Sequence, residues 1–358
     1  MALTPNYLQK CSDGIEKIFW KLGTQILMDI AERIKIAGEM TATTEYLNQK
    51  LRQLGLQQKV INELLAEVLQ KERIEVDKIM QESTEKSTRQ MFTVMEAAGY
   101  DTTGLEFGDQ ILKMTNVLEG ELTNLTRTTG QLGQTTLANV YDQAYLQVSS
   151  GAYSFQEATR MACEKLASQG LGMVEYPTGA HRSIEAAVRV AVRTSVNQNA
   201  LQCEMDAIDQ LGINLVETSS HLGARPSHAV WQGKVFWLKN PDPRYQNFYE
   251  ATGYGTGEGL GGYNCRHSFY PYFEELGEQT YEHFDEQKNA EYYQMEQKQR
   301  YLERQLRKWD RREKVLGAGG QDTTKATRWK SYYRKQLKAL TNNSEGFLKR
   351  DYSAEKAT

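Results

Sequence analysis

The first half of the chain contains almost no proline. None lies between Pro5 and Pro177. Because proline removes a backbone hydrogen bond and clashes with the preceding turn, this absence permits very long helices. Apolar residues recur at three- and four-residue steps from Ile15 to Ile34, with charged residues between them, which is the pattern of an amphipathic helix. The N-terminal half is therefore predicted to be nearly continuous helix.

Glycines and capping residues predict where these helices begin and end. The first helix covers 13–40, a second restarts at 41–44 and turns near Gly55, and a longer third ends at Gly99. A fourth covers 115–150, loosened by three internal glycines.

Two further helices follow before the sequence changes character. Ser154, with Glu157 three residues later, forms a capping box, and Gly170 ends that helix. The run from His181 is expected to form another helix that ends at Gly212.

Residues 213–273 differ from the rest of the sequence. They hold four of the six prolines, a glycine cluster at 253–262 and two short β-like runs, 213–221 and 234–238. The glycine cluster lacks the Lys-Ser/Thr pair of a phosphate-binding loop and is interpreted as a flexible loop. Function tends to concentrate in such loop-rich segments.

After this segment the sequence predicts a helical hairpin. A charged helix over 278–316 is broken by the glycines at 317–320, and a basic helix covers 325–340. The predicted fold class is therefore mostly α with a small α+β module. Three consecutive regions are expected: helical 1–175, an α+β module at 176–275 and a basic helical hairpin at 276–358.

The charge is concentrated at the C-terminal end. Residues 288–358 hold 18 Lys and Arg against nine Asp and Glu, although the whole chain has a net charge of −3. Aromatic residues alternate with the basic ones, a combination that binds phosphates and stacks on bases. The alternative is a solvated hairpin whose aromatic residues pack between its helices. The candidate nucleic-acid-binding residues are Arg304, Arg307, Arg311, Arg312 and Lys335.

Four residues in the loop-rich segment are candidate metal ligands. His221 and His228 lie in one loop, where Pro226 disfavours a helix, and Cys265 and His267 form a C-x-H pair in another. Two ligands from each loop suit tetrahedral zinc, and no other cofactor is indicated. The alternative is that the histidines tie loop backbone down through hydrogen bonds.

Other chemistry has weaker support. Arg225-Pro226 and Arg266 adjoin these histidines, and the two arginines can hold phosphate or bond loop carbonyls. Cys265 or Ser227 can be paired with a histidine as a nucleophile, but no acidic residue stands at a spacing that would orient that histidine.

The four cysteines are scattered and suit a reducing compartment. No apolar run of transmembrane length and no signal-peptide pattern is seen.

Four segments of the sequence resemble those of a known family. TSSHLGARPSHAVWQGKVF and GYNCRHSFYPY resemble the signature of the tailed-phage minor capsid protein 2 family, related to the Mu F-type head-morphogenesis proteins. YYQMEQKQRYLERQLRKWDRRE and IEKIFWKLGTQILMDIAERI resemble the same family's tail region and helical opening. The central motifs are specific, whereas the helical ones are less so.

The resemblance implies a low-copy virion protein, attached to the portal and assembled with capsid and scaffold proteins in the host cytoplasm. It implies no reaction and no membrane contact before infection. Packaged double-stranded DNA is a further candidate partner, which the protein would either contact in the head or accompany on ejection.

The family's central motif maps onto the candidate ligands. Related sequences place an acidic residue or His, then Arg, His and Cys-Arg-Cys or Cys-Arg-His in this order. Here those positions are His221, Arg225, His228 and Cys265-Arg266-His267. His267 departs from Cys-Arg-Cys but keeps a ligand type, which strengthens the zinc interpretation.

The leading interpretation is thus a structural head protein and not an enzyme. The first alternative is a nuclease or other hydrolase built on the His, Arg and Cys cluster, and the second is a DNA-binding protein that acts through its basic tail.

Overall fold

The computed structural model describes residues 3–36, 43–176, 178–277, 279–352 and 355. The chain is 68% helical, with a few short strands in small sheets, so the predicted fold class is confirmed. In chain order the elements are α1 Pro5–Lys10, α2 Asp13–Ile36, α3 Thr43–Ala97, α4 Gly108–Ser149, α5 Phe155–Gln169, β1 Val174–Glu175, β2 His181–Arg182, α6 Ile184–Gln210, β3 Leu215–Thr218, α7 Pro226–Ala229, β4 Val235–Trp237, β5 Gln246–Asn247, α8 Phe248–Thr252, β6 Phe269–Pro271, a 3-10 turn Glu274–Leu276, α9 Glu286–Ala318 and α10 Thr324–Asn342.

The helices are longer than the glycines suggested. The expected turn near Gly55 is wrong, because α3 runs unbroken for 55 residues from Thr43 to Ala97. A helical glycine costs only about 1 kcal/mol, and the packing of Leu54 and Ile61 on either side of it offsets that cost. The expected extension of the first helix over 37–40 and the restart at 41–42 lie outside the described residues.

Two glycines in α4 permit close helix packing instead of loosening the helix. A Cβ atom at Gly133 would lie 2.7 Å from Cγ2 of Ile26, and one at Gly130 would lie 2.9 Å from Cδ1 of Leu65. Both separations are shorter than carbon–carbon contact. These glycines are therefore required by packing within the helical core.

The capped helix and the hairpin follow the sequence prediction. The Ser154 hydroxyl accepts a hydrogen bond from the Glu157 amide at 3.2 Å, and Gly170 ends α5 with a φ of 75°. The hairpin is formed by α9 and α10, although α9 begins at Glu286 and not at 278. The helix expected from His181 likewise begins later, at Ile184, because His181 and Arg182 form the strand β2.

The chain forms two compact units, each assembled from three separate segments. Unit 1 comprises 1–14, 73–121 and 188–297, and unit 2 comprises 15–72, 122–187 and 298–358. The three regions predicted from the sequence are consecutive, whereas the segments of these units alternate along the chain.

Each unit has its own apolar core. The core of unit 1 includes the buried residues Met91, Met95, Leu201, Ile208, Val216, Trp231, Phe236, Phe248 and Phe269. The core of unit 2 includes the buried residues Leu22, Ile26, Leu27, Ile30, Ile34, Ile61, Leu137, Leu166, Val315 and Leu316.

A small sheet in unit 1 organises the loop-rich segment. Its strand order is β5-β4-β3-β6, in which β3 is antiparallel to both β4 and β6, and β4 is parallel to β5. Val216 of β3 pairs with Phe236 on one side and with Pro271 on the other. The loops that carry the candidate ligands lead into and out of these strands.

Candidate functional site

The candidate site lies in unit 1, where a short helix meets the segment that enters β6. His228 is on α7, between strands β3 and β4, and Cys265 and His267 precede β6. Pro226 is the first residue of α7, a position where proline is favoured because its missing N–H needs no partner. The expectation that Pro226 disfavours a helix in this loop is therefore wrong for His228, although α7 does not reach His221.

Three of the four candidate ligands converge. Nδ1 of His228 lies 3.3 Å from Nδ1 of His267. Sγ of Cys265 lies 3.8 Å from the first nitrogen and 3.7 Å from the second. All three side chains are buried. The three ligand atoms therefore form a compact triangle.

The fourth candidate, His221, is placed beside this triangle. Its ring stacks on that of His267, with centroids 4.5 Å apart and planes 24° apart. Its Nδ1 lies 3.0 Å from the carbonyl oxygen of Leu222. Within the described residues, the group of converging ligand atoms contains His228, Cys265 and His267 without His221.

The outer ring nitrogens of both converging histidines contact oxygen acceptors. Nε2 of His228 lies 2.8 Å from the carbonyl oxygen of Glu258, and Nε2 of His267 lies 3.1 Å from the side-chain oxygen of Gln232. The Asn197 amide donates to the carbonyl oxygens of both Cys265 and His267, at 3.4 and 3.2 Å. These contacts fix the rings and the Cys-Arg-His backbone.

Burial keeps this cluster uncharged. It lowers the pKa of His228 to about 4 and lowers the pKa of His267 well below its ordinary value. It raises the pKa of the Cys265 thiol. Since a nucleophilic cysteine needs an accessible thiolate, and Cys265 is 1% exposed, the arrangement favours ligand chemistry over nucleophilic catalysis.

Three residues of this site were missed by the sequence analysis. Gln232 lies within the quoted TSSHLGARPSHAVWQGKVF motif, four residues after His228, and that spacing was the only signal for it. No sequence signal indicated Asn197 on α6 or Glu258 in the glycine-rich loop, because each acts through contacts made only in the folded chain.

The two motif arginines contact the loop backbone. Arg225, at the N-cap of α7, donates to the carbonyl oxygen of Tyr263 at 2.5 Å. Arg266 forms an ion pair with Glu296 at 2.9 Å and also contacts the Gln9 side chain and the Gly223 carbonyl. The structure thus places both guanidinium groups in internal contacts of unit 1.

The five candidate nucleic-acid-binding residues occupy two different environments of unit 2. Arg307 and Arg311 both approach the Trp20 ring, at 5.4 and 5.3 Å from its centroid, and Arg312 pairs with Glu164. Arg304 and Lys335 are exposed.

The aromatic residues of the hairpin pack across its two helices. Trp309 of α9 stacks on Trp329 of α10, with centroids 5.8 Å apart, and Tyr301 contacts Tyr333. Trp329 and Tyr332 nevertheless stay 39% and 48% exposed. The packing expected of a solvated hairpin is present, and part of the aromatic surface still faces solvent.

Comparison with known proteins identifies the family. The family model described as phage minor capsid protein 2 matches residues 3–342. The chain belongs to the phage minor capsid protein 2 family. A structural protein of Lactococcus phage LL-H is 31% identical over 225 residues, which cover 61% of this chain and 60% of that relative. A structural protein of Lactococcus phage mv4 is 38% identical over 116 residues, 32% of this chain and 94% of the relative. No solved structure gives a significant match.

Family membership confirms the resemblance drawn from the motifs. A member of the phage minor capsid protein 2 family is a structural component of the virion. Within the described ranges, no helix combines the length and the apolarity needed to cross a membrane.

Proposed function

We propose that this minor capsid protein is a low-copy head component that attaches to the portal during head assembly in the host cytoplasm, alongside the capsid and scaffold proteins. The observation that carries the proposal is the family match over residues 3–342, because it extends through both compact units and not only through the central motif.

An exposed apolar pair on α3 is the surface we assign to this attachment. Leu47 and Leu51 are 48% and 67% exposed and lie four residues apart, on successive turns of one helix face. The alternative apolar stripe, from Leu22 to Ile34 on α2, is buried in the core of unit 2. It is therefore already occupied by neighbouring helices.

The test is incorporation into heads. The double variant Leu47→Asp, Leu51→Asp should lower the copy number in purified procapsids and reduce capture of the purified chain by the portal protein. The matched control is Ile74→Asp, a 61% exposed position on the same helix, which should leave both quantities unchanged. Equal copy number and equal capture in all three proteins would contradict the assignment.

A second candidate function is contact with packaged DNA through α10. Lys325, Arg328 and Lys335 are exposed and lie three and seven residues apart, so they share one face of the helix with the exposed Tyr332. A basic face with an aromatic side chain is suited to a phosphate backbone and its bases. Binding of this kind is strongly salt-dependent and indifferent to sequence.

The proposed role is structural and not enzymatic. A hydrolase built on the cluster would have to admit substrate to a thiol that is 1% exposed and to two buried imidazoles. The purified chain should therefore not cleave DNA at any divalent metal concentration. Cleavage that is abolished by His228→Ala, in a variant with an unchanged circular dichroism spectrum, would replace this proposal with the nuclease alternative.

A further inference from the structure

The hydrogen bonds around the cluster determine where its ring protons lie. The carbonyl oxygen of Glu258 can only accept, so Nε2 of His228 carries a proton. The side-chain oxygen of Gln232 accepts from the His221 amide at 3.0 Å. It is therefore the oxygen and not the nitrogen of the amide, and Nε2 of His267 must also donate to it.

Each of the two inner nitrogens, the Nδ1 atoms of these neutral rings, consequently carries a lone pair and no proton. A neutral imidazole carries one N–H, and in each ring that proton is on Nε2, so the two Nδ1 atoms, 3.3 Å apart, face each other without a proton between them. Both rings are buried, each residue being 1% exposed. The Cys265 thiol can donate a hydrogen bond to one Nδ1 atom. The other Nδ1 atom then faces only a lone pair or a sulfur.

A cation resolves this conflict, and the spacing indicates which one. Tetrahedral zinc has bonds of about 2.0–2.1 Å to nitrogen and about 2.3 Å to sulfur, which sets N–N edges of about 3.3 Å and N–S edges of about 3.6 Å. The observed N–N edge is 3.3 Å, and the N–S edges are 3.7 and 3.8 Å. The triangle therefore has the dimensions of one face of a tetrahedral zinc site.

We propose that unit 1 binds one zinc ion through Nδ1 of His228, Nδ1 of His267 and Sγ of Cys265. The thiol proton leaves to solvent as the thiolate binds the metal, so the three protein ligands contribute one negative charge. The amide of His267 donates to Sγ at 3.4 Å, and the contacts of Nε2 with Glu258 and Gln232 orient the rings, as outer contacts do in zinc proteins.

The assigned role of the ion is to join two loops. It links α7, which connects β3 to β4, to the segment that enters β6, the strand on the other side of β3. Because such a site does not exist in the unfolded chain, zinc binding adds to the stability of the fold. This role is independent of portal attachment, so the two proposals can fail separately.

The test is metal content and spectroscopy of the purified full-length chain. Elemental analysis should find one zinc per chain, and exchange for Co(II) should give the intense visible bands of a tetrahedral ion together with a near-ultraviolet thiolate band. Chelation should lower the thermal midpoint of wild type. Copper in place of zinc, or octahedral Co(II) spectra without a thiolate band, would overturn the proposal.

Matched variants separate ligation from folding. Cys265→Ala and His267→Ala should lose zinc and the thiolate band, whereas Cys203→Ala, which removes another buried thiol of the same unit, should keep both. His221→Ala should also retain one zinc, since His221 lies outside the converging set. Zinc lost equally from Cys203→Ala and Cys265→Ala, or a folded, zinc-free wild type in zinc-supplemented medium, would overturn the site.

Discussion

The two compact units accommodate ionisable groups in different ways. Burial in unit 1 holds several groups neutral: it lowers the pKa of His228 and raises the pKa of Glu204 to about 8, although the Arg266–Glu296 ion pair lies in the same unit. Unit 2 keeps charges and pairs them, as in Arg312 with Glu164 and Lys330 with Asp310 and Glu313. Unit 1 should therefore respond mainly to pH and to metal, and unit 2 mainly to ionic strength.

The two candidate sites also differ in how many of their predicted residues come together. In unit 1, ligand-type residues that could have been separate converge within one buried triangle. In unit 2, three of the five basic residues singled out for nucleic acid are engaged inside the unit, with Trp20 or with Glu164. A high density of one charge therefore does not indicate how much of it is available to a partner.

The largest effect is expected from Glu204→Gln. The carboxyl group is buried and contacts the Ser87 hydroxyl at 2.5 Å, and its pKa is raised from 4.5 to about 8. Between these values the folded chain holds a proton that the unfolded chain has lost. The free energy of unfolding should therefore fall with rising pH, by up to about 1.4 kcal/mol per pH unit. Glutamine should abolish this fall.

Urea unfolding between about pH 6.5 and pH 8 checks this prediction, in a window where ordinary carboxylates do not titrate. Glu275→Gln, at an exposed position of the same unit, should keep the wild-type slope. If Glu204→Gln keeps the wild-type slope of unfolding free energy against pH, the buried carboxyl group is not the source of the pH dependence of unit 1.

A smaller effect is expected from the Arg312–Glu164 pair of unit 2. Its side chains are 16% and 34% exposed, so solvent screens the pair only partly. A double-mutant cycle with Arg312→Gln and Glu164→Gln should give a coupling energy of about 1 kcal/mol that decreases with added salt. The exposed pair Arg160–Glu157 is the control, with about 0.3 kcal/mol. Similar coupling energies in both pairs would mean that partial burial does not strengthen the Arg312–Glu164 ion pair.

The smallest effect concerns DNA affinity. Arg304→Gln and Lys335→Gln should each weaken binding to duplex DNA a few-fold and flatten the slope of log affinity against log salt by about one. Arg312→Gln is the matched control: its guanidinium is engaged with Glu164, so affinity should stay at the wild-type value. No binding by the intact chain even at low salt would exclude DNA as a partner of the hairpin formed by α9 and α10.

The helical fold was predictable because its signal is local. Ser154, Glu157 and Gly170 specify a helix between them by their own hydrogen bonds, and the apolar period along α2 needs no knowledge of its neighbours. Gly55 misled because a glycine permits a turn without requiring one. Whether the helix continues there depends on the packing of Leu54 and Ile61, which involves residues far away in the sequence.

The site was predictable only in part, for the same reason. Cys265 and His267 are two residues apart, so their convergence is a local property, whereas His228 joins them through the pairing of β3 with its two neighbours. The division between Arg304 and Arg312 depends on Glu164, 148 positions away from Arg312. No spacing within the hairpin could have indicated it.

The alternation of segments between the two units has a consequence for biosynthesis. The ribosome delivers the chain from its N-terminus, yet the core of unit 2 joins Leu27 and Ile30 to Val315 and Leu316. Unit 1 likewise draws on residues up to 297. Part of the apolar surface of the early helices therefore stays uncovered until Val315 and Leu316 have been synthesised. Nascent chains of this protein should depend on chaperones far more than chains whose domains follow one another in sequence.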